Sequence, residues 1–126
     1  MDQVQLSRPV SDASMVLTKA ALRAADELGI SKRELAEIIG VSPAYVSKLS
    51  AGTTVLSPAS KQGELATHFL RAFRSLDAIV GGSKRTASEW LRNENTALGV
   101  VPIDALKTVR GLVDVVNYLD QRRAPL

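Results

Sequence analysis

The sequence predicts an all-α protein, an N-terminal helix-turn-helix domain followed by a small C-terminal helical domain. Three observations carry that expectation. Apolar residues recur at helical spacing along most of the chain, and no stretch alternates as a strand would. Serine, threonine and proline stand where helices should begin, and glycine where several should end. Aromatic residues are only 4% of the chain (Tyr45, Phe69, Phe73, Trp90 and Tyr118), so the core must be built from Ala, Leu, Val and Ile. Such a core suits packed helices better than a β-sandwich. The length of 126 residues, with 45% hydrophobic and 23% charged, is that of one ordinary globular domain or two very small ones.

The elements follow in order. Leu17, Ala20, Ala21, Ala24 and Leu28 share one helical face, behind the possible caps Ser11, Asp12 and Ser14. Gly29 fits the left-handed stop. Ser31-Lys32-Arg33-Glu34 has the spacing of a capping box, in which hydroxyl and carboxylate each bond the other's amide. Leu35, Ala36 and Ile39 carry this second helix to Gly40. Pro43 opens a third behind Ser42, with Val46 and Leu49 inward and an end near Ala51-Gly52. Ser57-Pro58 repeats the device and is expected to open the longest helix, roughly 58–80, with the stripe Leu65, Phe69, Ala72, Phe73, Leu76 and Ile79. Gly81-Gly82 breaks it, and Ser83 caps a helix running through Trp90 to about Asn93. Asn95 to Val101 is a turn, with Asn95 bonding nearby backbone. Pro102 starts a short helix, and Thr108 caps a last one whose expected buried face is Leu112, Val113, Val116 and Leu119. A weak joint at Thr53–Pro58 divides residues 1–56 from 57–126, and Gln121–Leu126 has little to anchor it.

Composition excludes several classes of function. Cysteine is absent and His68 is the single histidine, which leaves no thiol nucleophile, no zinc site of the common kinds and few triads. His68 reads as a partly exposed helix residue. Glu34 and Glu37 point outward from a helix. Gly81-Gly82-Ser83-Lys84 lacks the spacing of a phosphate loop and any preceding strand. No apolar run approaches the roughly 18 residues of a membrane span, and Met1–Val10 is too polar for a signal peptide. The expectation is a reduced, cytoplasmic protein with no catalytic constellation, metal or cofactor.

Residues 32–52, KRELAEIIGVSPAYVSKLSAG, have the spacing of a helix-turn-helix. Ala36 is the small residue needed at a close crossing, Gly40 tolerates the turn, and Leu35, Val41, Val46 and Leu49 point inward. That leaves Ser42, Pro43, Ala44, Tyr45, Ser47 and Lys48 on the outer face and N-terminal end of the second helix, where base edges would be met. Lys48 can meet a phosphate or a guanine edge, Tyr45 and Ser47 a phosphate or base, and Ala44 a thymine methyl. An ordinary helical hairpin would use the same inward residues. Residues 1–60 hold six basic and six acidic side chains and residues 61–126 ten and seven, for a net charge of +3. So mild an excess implies weak binding by one copy, hence a homodimer reading two half-sites of double-stranded DNA. The apolar faces of helices 58–80 and 109–120 look larger than one small domain needs, and part of them is the expected dimer interface.

Two segments together resemble a known family. ALRAADELGISKRELAEIIGVSPAYVSKLSAG resembles the Xre-like helix-turn-helix of the Xre/MbcA/ParS antitoxins. EWLRNENTALGVVPIDALKTVRGLVDVVNYL resembles their C-terminal toxin-binding domain. The matching residues are Trp90, Leu91, Asn95, Leu98, Gly99, Pro102, Leu106, Thr108, Gly111 and Leu119, and Val100 stands where a second small residue is common. The resemblance implies an antitoxin of a type II toxin–antitoxin pair. It would neutralise a RES-domain toxin that degrades NAD⁺ and repress its own operon. Read from the residues alone, Trp90 is most simply a core residue at a helix junction. A stand-alone, phage-type repressor whose C-terminal half only dimerises is the alternative.

Given such a toxin, the C-terminal tail is a candidate inhibitor, with Arg122, Arg123, Pro125 and Leu126 as the toxin-binding residues. A site for NAD⁺ must hold two phosphates, which a tail carboxylate could mimic poorly. Arg122 and Arg123 could pair with acidic groups at its rim, and Pro125 would lower the ordering cost. The folded surface of the last two helices is the other possibility.

Overall fold

In the computed structural model, which describes residues 11–123, seven helices follow one another: α1 Asp12–Glu27, α2 Lys32–Ile39, α3 Pro43–Ala51, α4 Lys61–Ile79, α5 Lys84–Arg92, α6 Pro102–Ala105 and α7 Val109–Arg123. Side-chain caps set their starts. The hydroxyls of Ser11, Ser31, Ser42, Ser60 and Ser83 each accept the amide of the residue three further on. Thr108 does the same for Gly111. The capping box at Ser31–Glu34 has both of its halves. Gly40, at the helix-turn-helix corner, has φ +75°, a conformation that costs glycine nothing and other residues strain. Among the described residues there is no strand, only an isolated bridge between Asn95 and Val100.

The long helix α4 organises the packing. α7 lies along it in the most extensive pairing among the described helices, and α1 and α2 also pack against it. Phe69, fully buried, sits among Leu, Ile, Val and Ala from both halves, so the helix-turn-helix and the C-terminal helices share a continuous core. Ala36, Val46 and Leu49 are buried as their spacing predicts, while Val41 is only half-buried.

Four expectations need correcting. α4 begins at Lys61, not at residue 58. Ser57 to Ser60 instead form a turn in which the Ser60 amide and hydroxyl both donate to the Ser57 carbonyl, at 3.0 and 2.7 Å. The fixed φ of Pro58 suits the second position of such a turn as well as a helix start. Ile79, placed in the buried stripe, is 45% exposed, because it stands at the rim of an open groove between the ends of α4 and α7 that no described side chain fills. On α7 the fourth buried position is Val115, with Val113 half-buried, since residues 112, 115, 116 and 119 keep the true helical stripe. Finally, Gln121–Arg123 are not loose but form the last turn of α7. The α4 and α7 stripes largely cover each other, so the apolar area that suggested a dimer is mostly buried within one chain.

Candidate functional site

The outer surface of the helix-turn-helix starts from the Ser42 cap. Ser42, Pro43, Ala44, Ser47 and Lys48 are all exposed, brought together on the N-terminal half of α3 while Val46 and Leu49 hold its other face in the core. Two candidate readers have internal duties. The Ser42 hydroxyl accepts the Tyr45 amide at 3.1 Å, and Tyr45 is half-buried with its phenol 3.5 Å from the Val55 carbonyl. Tyr45 therefore leans back on the loop after α3. Lys48 is exposed and makes no ion pair among the described residues, and the same holds for Lys32 and Arg33 at the start of α2.

The two halves are joined by a polar latch whose partners stand 58 residues apart, beyond the reach of any local pattern. Arg92, at the end of α5, places its fork on the Glu34 carboxylate, Nη1 to Oε2 at 2.6 Å and Nη2 to Oε1 at 2.9 Å. Nη2 also donates to the Gly29 carbonyl at 2.8 Å. One guanidinium thus bonds both the capping box of α2 and the turn before it. The Arg92 hydrogen bond, helped by the Ser31 amide, outweighs desolvation and holds the Glu34 carboxyl down at about 2. Glu37 meets Lys107 at 3.4 Å on the same side of the junction. The outward carboxylates of α2 are attachment points for the C-terminal half.

That half is built around a tight turn and a stack of side chains. Asn95 closes the turn, its amide donating to the Val100 carbonyl at 2.9 Å and its side-chain oxygen accepting the Leu98 amide at 3.0 Å. Trp90 is not a core residue. It is half-buried and stacks on Tyr118, ring centroids 6.3 Å apart and planes 17° from parallel, while its neighbour Leu91 fills the core. Arg122 also lies over the Tyr118 ring, 5.1 Å from its centre, and donates to its hydroxyl at 2.8 Å. The Arg122 contact, then Asn95, lowers the Tyr118 phenol below its ordinary pKa. Arg123 reaches the buried Ser75 hydroxyl at 3.5 Å, and Ser75 in turn donates to Asp120, which also pairs with Arg71. Arg122 and Arg123 are thus drawn back onto the fold, while Pro125 and Leu126 lie outside the described residues. His68 is half-buried on α4, and among the described residues no three acidic or histidine side chains cluster as a metal site would require. No helix among them is long and apolar enough to cross a membrane.

A helix-turn-helix with a fused helical domain defines the class of protein. Residues 10–71 match the model of the antitoxin Xre-like helix-turn-helix domain, and residues 75–124 match that of the antitoxin Xre/MbcA/ParS C-terminal toxin-binding domain. The chain belongs to the Xre/MbcA/ParS antitoxin family. No curated protein matches the sequence significantly. The helix-turn-helix match runs into α4, consistent with the packing of α1 and α2 on that helix.

Proposed function

We propose that this antitoxin neutralises a RES-domain toxin that degrades NAD⁺ and represses its own operon as a cytoplasmic homodimer. The observation that carries the reading is the order of the two family matches on one chain, a DNA-binding fold followed by a toxin-binding one. It favours an antitoxin over a stand-alone repressor whose second half only dimerises. In this division of labour residues 1–56 bind DNA and residues 57–126 bind toxin and dimerise, with α4 as the scaffold for both. Inhibition falls to the end of α7 and the tail beyond it, with Arg122, Arg123, Pro125 and Leu126 as contacts. Co-expression with the adjacent gene tests the whole reading. Growth should be rescued by the antitoxin, and the two chains should co-elute. Unrescued growth, or rescue without a complex, would refute it.

The DNA interface is the exposed face of α3, Ser42, Pro43, Ala44, Tyr45, Ser47 and Lys48. Lys48→Ala should weaken promoter binding by about 1–3 kcal/mol per monomer if Lys48 meets a base edge. A phosphate contact would instead appear as a smaller salt slope. Tyr45→Ala should weaken or relax binding too. Binding isotherms unchanged in both variants would move the DNA to another surface.

A further inference from the structure

The stack of Trp90, Tyr118 and Arg122 is one wall of an open groove of about 270 Å³ at the C-terminal ends of α4 and α7. Leu76, Ile79 and Val80 form its apolar side, and Ile79 stands 45% exposed at the rim. Among the described residues its charged lining is positive. Arg122 lines the groove, Arg123 lies beside it, and no acidic side chain is part of either lining. The nearest carboxylate along α7, Asp120, is turned away and engaged by Arg71 and Ser75.

We infer that this groove is a docking surface for the toxin, taking an apolar side chain carried on an acidic segment of that protein. The inference rests on the antitoxin reading and adds to it the place and the chemistry of contact. Trp, Tyr and Arg are the residue types in which interface hot spots are richest, and here they form one preorganised layer. Two rings already stacked lose little freedom on being covered. Arg122 is held over Tyr118, so its charge faces an incoming carboxylate without a search among rotamers. An apolar groove with Arg122 in its wall and Arg123 at its side favours an acidic segment over a basic one. The groove also adjoins the end of α7, so a toxin seated in it would meet whatever follows Arg123.

Trp90 is the single tryptophan of the chain, so the groove carries its own probe. Chain labelled with 5-fluorotryptophan gives one ¹⁹F resonance, to be followed as the unlabelled toxin from the adjacent gene is added. The expected result is a shift that saturates with complex formation. Ile79→Asp and Arg122→Glu should each weaken toxin binding by roughly tenfold or more, as hot-spot substitutions do. Ile79 is exposed, so that variant keeps the fold, which its melting curve would verify. Wild-type chain that binds toxin with an unmoved resonance, and variants that bind as tightly, would overturn the groove and leave the antitoxin reading intact. Wild-type chain that binds no toxin would overturn both. A resonance that moves with the chain's own concentration, or on deleting residues 124–126, and not with toxin would assign the groove to a second copy or to the chain's own tail instead.

Discussion

Gly63→Ala should destabilise the chain by about 2–3 kcal/mol, and Gly111→Ala by a similar amount. Both glycines occupy the third position of a helix behind a Ser or Thr cap, where the backbone is ordinary and alanine would normally be favoured. The cost comes from outside the helix. A methyl group at Gly63 would sit 1.9 Å from the Ser57 carbonyl oxygen, and one at Gly111 would sit 2.1 Å from that of Ala105. In each case the carbonyl belongs to the residue three before the cap, folded over the helix start by the preceding turn. Backbone cannot swing aside as a side-chain tip can, so the turn must open or the helix must slide. The fall in melting temperature should be roughly 10 °C. Gly52→Ala is the comparison, because its added methyl meets nothing within 4 Å and only its φ of +78° opposes the change. That variant should lose about 1 kcal/mol. If Gly63→Ala melted no lower than Gly52→Ala, the turn over α4 would be pliant and the explanation wrong.

The same pair of glycines marks where the sequence was legible and where it was not. Thr108-x-x-Gly111 stands out as a helix start, and the structure has it so. Ser60-x-x-Gly63 carries the same signal three residues after the more conspicuous Ser57-Pro58, which masks it. Local signals of this kind, caps and stops, place most helix ends because their physics involves only three or four neighbouring residues. Tyr45 shows the limit. Its position on α3 follows from the pattern, but its half-burial against Val55 depends on where the next loop passes. Trp90 illustrates the same limit from the other direction. Size and apolarity suggest a core role, yet Leu91 takes the core position and Trp90 turns to Tyr118, 28 residues away. The outward Glu34 is a capping residue by spacing, and nothing near it in sequence announces that an arginine from the other half will share it.

That sharing makes the second large effect a pH-dependent one. Removing the fork with Arg92→Ala should cost about 1–2 kcal/mol at neutral pH, less than the full depression of the Glu34 pKa would convert to, because water reaches the guanidinium. The sign follows from the titration. The carboxyl sits at about 2 in the folded chain against 4.5 for an ordinary glutamate, so the folded state favours its charged form. The resulting stability is fully present above about pH 4.5 and is lost as the pH falls through that value toward 2. The gap between wild-type and Arg92→Ala melting curves should therefore be widest at neutral pH and close in acid. Glu34→Gln should close it as well, since glutamine can still cap α2 but offers the guanidinium no charge. The latch joins the helix that precedes the DNA-facing helix to the domain that carries the toxin match, so its loss has a second consequence. Stability of the two halves should become less coupled, with the unfolding transition of Arg92→Ala broader than that of the wild type. A gap between the two melting curves that does not change from pH 7 to pH 3 would show that Arg92 contributes through packing and not through the charge of Glu34.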